Sequence, residues 1–223
     1  MTWRVSSQLN LLFFCAVFCF AGTVVASCNQ MEWKRGKPFD YYAPETRAST
    51  GTFRGGLLHL VDNYHLTPDV RNLVRGATGA MPGDLLFVLN TIPNHPVALD
   101  AYSRYERRYL ESALFREQKF MDRPVHTADC LFERADRVFP NMAETKVVWA
   151  IHRYRSGRYK DAEVLLLQAI TLQPNYVEAH YNLGLVYVAL NQLASAQKHA
   201  DIAYAAGYPL PGLKKKLARL GQE

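Results

Sequence analysis

Seven histidines stand singly along the chain: His59, His65, His95, His126, His152, His180 and His199. Histidine is the side chain best suited to proton transfer or metal ligation near neutral pH. Its spacing here specifies neither. A helical zinc site puts two histidines four residues apart on one face, and no such pair occurs. The cysteines Cys15, Cys19, Cys28 and Cys130 form no Cys-x-x-Cys pair. No glycine-rich loop leads into Lys-Ser/Thr to cradle a phosphate, and no Gly-x-Ser-x-Gly elbow presents a nucleophile. Asp161 and Glu163 are two apart, so on a helix they face different directions and read as solvated charges. His59, Asp62 and His65 are the tightest polar group towards the N-terminus, with a spacing that marks no reaction. The sequence therefore points away from an enzyme, and implies no cofactor and no metal.

What positions the polar and aromatic side chains is a repeat. Pro140 and Pro174 are 34 residues apart, and each closes the same pattern. The first copy ends Ala128, Phe132, Ala135, Pro140. The second runs Gly157, Tyr159, Ala162, Leu166, Ala169, Pro174. A third begins Tyr181, Asn182, Leu183, Gly184, Tyr187 and continues through Ala196 and Ala203 to Gly207-Tyr208-Pro209. Small residues at matching points let two antiparallel helices approach closely, while Trp149, Leu166, Leu183 and Tyr187 fill the space between neighbouring hairpins. Gly157 and Asn191 stand where a left-handed residue must end a helix. A helix pair of this length cannot bury its apolar face alone, so it stacks on copies of itself.

The pattern resembles the tetratricopeptide repeat. The match is strongest over Ala143–Tyr208, where Ala179-His180-Tyr181-Asn182-Leu183-Gly184 lies close to the family consensus. Upstream it decays. Pro93 closes the segment Leu85–Ile92 as a repeat-ending proline would, but Pro93 to Pro140 spans 47 residues, which leaves about 13 extra residues, placed in Leu114–Pro124. The resemblance implies an all-α fold: a right-handed superhelical solenoid of antiparallel helix pairs, degenerate over 81–142, with clear repeats at 143–176 and 177–208. It also implies that the first helix of each hairpin lines a concave groove. Carried over position by position, the groove receives Val147, Ile151, Tyr154 and Arg155 from one copy. The next supplies Glu178, Tyr181, Asn182, Leu185 and Val188. The worn copy supplies Asp100, Arg104, Arg107 and Arg108 if its helix starts at Pro96. Tyr154 and Tyr181 are then expected to act as apolar anchors, with Arg104 and Arg155 selecting acidic residues on a partner. Some relatives grip a peptide carboxylate with a Lys/Asn set; only Asn182 stands at one of those positions, so that clamp is absent.

The rest of the chain frames this unit. Residues 1–27 read as a targeting segment, with Arg4 as a positive start, an apolar run Leu11–Phe20, and small residues Gly22, Ala26 and Ser27. Val24-Val25-Ala26 suits an ordinary signal peptidase, whereas Val25-Ala26-Ser27-Cys28 resembles a bacterial lipobox that would lipidate Cys28. Both readings export the chain. Cys28 and Cys130 survive cleavage and either bridge or leave Cys130 as an unpaired thiol; a lipid on Cys28 excludes the bridge. The formal net charge of +6 favours acidic partners only weakly. Arg104, Arg107 and Arg108 are mixed with Glu106 and Glu111, so nucleic acid is not an expected partner. Residues 28–52 read as an irregular arm with packing aromatics Phe39, Tyr41 and Tyr42, and 53–80 as a helical cap. The last segment, 209–223, reads as a capping helix whose Leu213, Leu217 and Leu220 make an apolar stripe beside Lys214, Lys215, Lys216 and Arg219. The combined expectation is a scaffold or assembly factor of a bacterial envelope, binding another envelope or secreted protein. A structural subunit of a permanent complex is the alternative.

Overall fold

A computed structural model describes residues 36–50 and 54–221, and every regular element among them is a helix. In chain order these are α1 (Pro44–Arg47), α2 (Gly56–Tyr64), α3 (Pro68–Arg71), α4 (Met81–Thr91), α5 (Pro96–Glu111), α6 (Ala113–Arg116), α7 (Ala128–Val138), α8 (Ala143–Arg155), α9 (Tyr159–Leu172), α10 (Val177–Ala189), α11 (Leu193–Ala205) and α12 (Gly212–Leu220). Residues 1–27, read above as a targeting segment, and Cys28 lie outside the described residues.

The clearest hairpins are α8–α9 and α10–α11, and α10 packs back onto α9. Their turns close in one way. Gly157 and Asn191 have φ of 73° and 58°, and the amide after each reaches back to the last helical turn: Arg158 to the Arg153 carbonyl at 2.9 Å, Gln192 to the Tyr187 carbonyl at 2.8 Å. This satisfies carbonyls that a helix end leaves orphaned. Ala162, Ala169, Ala196 and Ala203 are fully buried, as are Leu166 and Leu183. The described residues form an all-α solenoid of stacked helix pairs.

Upstream, α5 packs on α7 and α8, and residues 112–127 form α6 and a loop between α5 and α7. That excursion is tied down by Tyr102, whose hydroxyl donates to the His126 carbonyl at 2.8 Å, and by Tyr105, donating to the Asp122 carbonyl at 2.6 Å. The segment from Thr67 starts a helix through a threonine cap and Pro68, but α3 ends after four residues, because Leu73 turns left-handed at φ 58° and Val74 closes onto the Asp69 carbonyl. The arm docks on the α4–α5 turn: the Phe39 amide donates to the Thr91 carbonyl at 3.0 Å, the Tyr41 amide to Asn94 Oδ1 at 2.9 Å, and Asn94 Nδ2 to Asp40 at 2.7 Å. Two apolar cores result, one spanning α2–α7 and one spanning α8–α11, with Trp149 packed against both.

Candidate protein-interaction surface

The first helices α8 and α10 present a graded face rather than an open row of anchors. Val147 is fully buried in the core between α8, α9 and α10 and reaches no surface. Tyr181 is only 6% exposed, its ring 4.3 Å from that of Tyr208 and edge-on to Tyr204 at 6.4 Å. A Cβ on Gly212 would lie 2.8 Å from its hydroxyl, so the start of α12 covers it. Tyr154 is half-buried, and Lys216 of α12 donates to its hydroxyl at 3.1 Å. The two tyrosines expected to anchor a partner are thus covered by the chain's own C-terminal helix. The reason is a packing fit: Gly184 lacks a side chain, and Leu213 of α12 fills the space, its Cδ2 2.4 Å from where a Cβ would stand.

The expected basic selectors are also engaged. Arg155 and Arg104 grip opposite oxygens of Asp100, at 2.5 and 2.8 Å, and Arg104 donates a second bond to the Arg71 carbonyl at 2.8 Å. These bonds hold the Asp100 carboxyl below the usual range, against a burial that alone would raise it. Arg107 pairs with Glu111 at 3.3 Å, and Arg108 lies over the Phe115 ring at 4.4 Å. Glu178 is half-buried, accepts from the Tyr176 hydroxyl at 3.4 Å, and is pushed up by burial. Asn182 donates to the Glu178 carbonyl at 2.8 Å. Ile151, Leu185 and Val188 keep part of their surface open. Leu185 and Val188 join Tyr181 in a small cluster with Leu213 and Leu217, and Ile151 packs separately on the central core.

The histidines are not idle, although their sequence neighbours say nothing about their partners. Ser103 Oγ lies 2.8 Å from His152 Nδ1, and His152 Nε2 lies 3.2 Å from Asp129 Oδ1. A serine–histidine–aspartate chain is the arrangement of nucleophilic hydrolases, but here it is closed. Ser103 and His152 are buried in α5 and α8, and Asp129 is shared by Trp149 at 3.3 Å, Arg153 at 2.7 Å and Arg158 at 3.1 Å. The chain bolts α5, α7 and α8 together. Burial would raise the Asp129 carboxyl, but His152, Trp149 and Arg158 hold it down. His59, Asp62 and His65 are not brought to one site: His59 meets Asn63, Asp62 meets His95 at 3.0 Å, and His65 meets Asp84 at 3.0 Å. Asp84 also takes the Ala77 amide at 2.7 Å and both donors of Thr78, fixing the loop before α4. Among the described residues no group of three His, Cys, Asp or Glu side chains is placed to hold a metal.

Cys130 is disulfide-bonded and 7% exposed. No helix among the described residues is long and apolar enough to cross a membrane.

Residues 153–191, the end of α8 through α10, match the family model of the TPR repeat. Over these residues the chain is similar to the TPR repeat. The matched stretch of the TPR unit holds the α8–α9 turn, the whole of α9 and α10, and the buried Ala162, Leu166, Leu183 and Gly184. Among solved structures, a thermophilic TPR protein from Thermus thermophilus is similar at 18% identity and a TM-score of 0.47, over 62% of this chain and 70% of that one. No curated protein matches. TPR units serve protein–protein interaction and are typically non-enzymatic.

Proposed function

We propose that this TPR chain is a non-enzymatic scaffold or assembly factor of a bacterial cell envelope, holding a segment of another envelope or secreted protein on the face of its first helices. The observation that carries the reading is the partly open strip Ile151, Asn182, Leu185 and Val188 on stacked α8 and α10. The arginines are not free to select the partner, since Asp100 holds both Arg104 and Arg155 and offsets one of their two charges. Shape and apolar contact with that strip are left to do so. Export is supported by the leader-like residues 1–27 and by the bond at Cys130, because such bonds persist in oxidising compartments. With Cys15 and Cys19 in the leader, Cys28 is the remaining candidate for its partner, and a lipid would need the same sulfur. The mass of the mature, unreduced protein separates the two: no acyl chains are expected, and a lipid-modified N-terminus would refute the bridge.

Capture from cells with the wild type and with Leu185→Glu/Val188→Glu tests the surface. Capture lost with an unchanged fold supports it; equal capture by the variant removes this face. The alternative, a structural subunit with no groove ligand, is favoured by the cover that α12 places over Tyr154 and Tyr181. It predicts that partners bind elsewhere and survive the double substitution.

A further inference from the structure

The helix that closes the end of the first-helix face has little support of its own. Tyr181 lies under Tyr208, ring centroids 4.3 Å apart, and under the start of α12, where a Cβ on Gly212 would crowd its hydroxyl. Tyr154 accepts a hydrogen bond from Lys216 Nζ at 3.1 Å, and Leu217 packs in the cluster that holds Leu185 and Val188. Leu213 is the buried residue of α12, and it fills the space that a Cβ on Gly184 would need. Tyr204 adds a tether, accepting from the Lys214 amide at 3.0 Å and donating to the Leu210 carbonyl at 2.9 Å. By itself α12 is a weak helix. Its nine residues fall short of the about 12–15 at which an isolated helix is even marginal. Pro211 supplies no side-chain cap, and Lys214 and Lys215 stand in the first turn, where the backbone dipole disfavours cations. The join to α11 turns at Gly207, φ 81°, and a Cβ there would meet nothing within 4 Å.

We propose that residues 208–220 are a displaceable strap: an internal ligand that occupies the end of the first-helix face and gives way to a helix of the partner carrying a leucine into the Gly184 notch. The inference rests on the first-helix reading above. The chemistry of the incoming helix is read from the one already seated. It needs a leucine against Gly184, and an apolar residue beside Leu185 and Val188, where Leu217 now packs. The exposed side chains of Lys214, Lys215 and Arg219 take no part in that seat. While docked, the strap competes at the high effective concentration of a tethered segment. The partner's apparent affinity is then scaled by the fraction of chains that are open.

A synthetic peptide of residues 208–221, titrated into the full chain and followed by backbone amide shifts, tests the seat. The wild type should show no saturable shift at Tyr181 and Gly184, because its own strap is in place. The full-chain Leu213→Asp variant should take the peptide, with saturable shifts at both positions. Its affinity should fall at least about tenfold when the peptide itself carries Leu213→Asp. Equal binding by wild type and variant, or none by the variant, overturns the strap. Amide exchange gives a second measurement. In the wild type residues 213–220 should exchange at least about tenfold faster than α9, and Gly184→Ala, which crowds the seat from α10, should speed them further. Exchange as slow as in α9, or unchanged by Gly184→Ala, overturns the strap, and decides the matter where Leu213→Asp does not fold. Inhibition is read by capture from cells, which Leu213→Asp should raise at least about tenfold; an exchanging strap with no rise in capture refutes the inhibitory role. The peptide and exchange measurements involve no cellular partner. They fail separately from the first-helix reading, which falls if capture ignores Leu185→Glu/Val188→Glu.

Discussion

Asp129 takes bonds from Trp149, Arg153 and Arg158 while facing His152, so the carboxylate, and not the serine at the far end of that chain, carries the consequence of mutation. Asp129→Asn keeps the shape and removes the charge that offsets two guanidinium groups; a loss of about 2–4 kcal/mol is expected by chemical denaturation, discounted because Asp129 is partly solvated. Ser103→Ala should cost only about 1 kcal/mol. A second residue-scale device lies in the last repeat. His180 Nδ1 is 2.8 Å from His199 Nδ1, and His180 Nε2 donates to the Pro174 carbonyl at 2.9 Å. In the neutral pair His180 Nδ1 must therefore accept from His199 Nδ1, and protons on both facing atoms would have no acceptor. Burial first, then His180 and Lys198, push His199 down to about 4 from 6.5. Neutral His199 thus adds stability above pH 6.5 that disappears as pH falls towards 4. His95 and His126 shift in the same direction. Thermal melts of His180→Gln/His199→Gln should show a flatter decline between pH 6.5 and 4 than the wild type; parallel curves would exclude the pair. None of these partnerships is legible in the sequence. Ser103 and His152 are 49 residues apart, and periodicity carries no signal for a polar contact between different helices.

Elements are more legible than contacts, because their signals are local. Proline, glycine and asparagine punctuate α8 to α11, and the positive φ of Gly157 and Asn191 follows from residue types that tolerate it. Where the left-handed residue is neither Gly nor Asn, as at Leu73, no residue type marks the end of α3. The cover over Tyr154 and Tyr181 is hidden for another reason: α12 seats on α10 through a leucine-for-glycine fit between Leu213 and Gly184, which no repeat pattern announces. Leu213→Ala should cost about 2–5 kcal/mol, mostly by releasing α12, and amide exchange should accelerate in α10 around Tyr181 while α8 stays protected. Uniform acceleration would place α12 in the global folding unit instead. At the other end, Gly56 has φ 88°, and a Cβ there would meet the Arg47 carbonyl oxygen at 2.3 Å. Gly56→Ala is expected to destabilise by more than about 1 kcal/mol, separating α1 from α2; unchanged melting would contradict the close approach.

At the scale of the whole molecule, two cores joined through Trp149 make one stack, and its polar interior is used to join helices rather than to open a reactive pocket. The face proposed for binding is the narrow, partly open strip along α8 and α10. Which side meets a partner decides between a scaffold that grips another chain and a subunit that merely packs. A photoreactive side chain at Leu185, compared in cells with one at the exposed Val164 on α9, measures it directly. One dominant protein adduct is expected from Leu185, lost in the Val188→Glu background, and none from Val164. An adduct from Val164 with none from Leu185 would contradict the first-helix face.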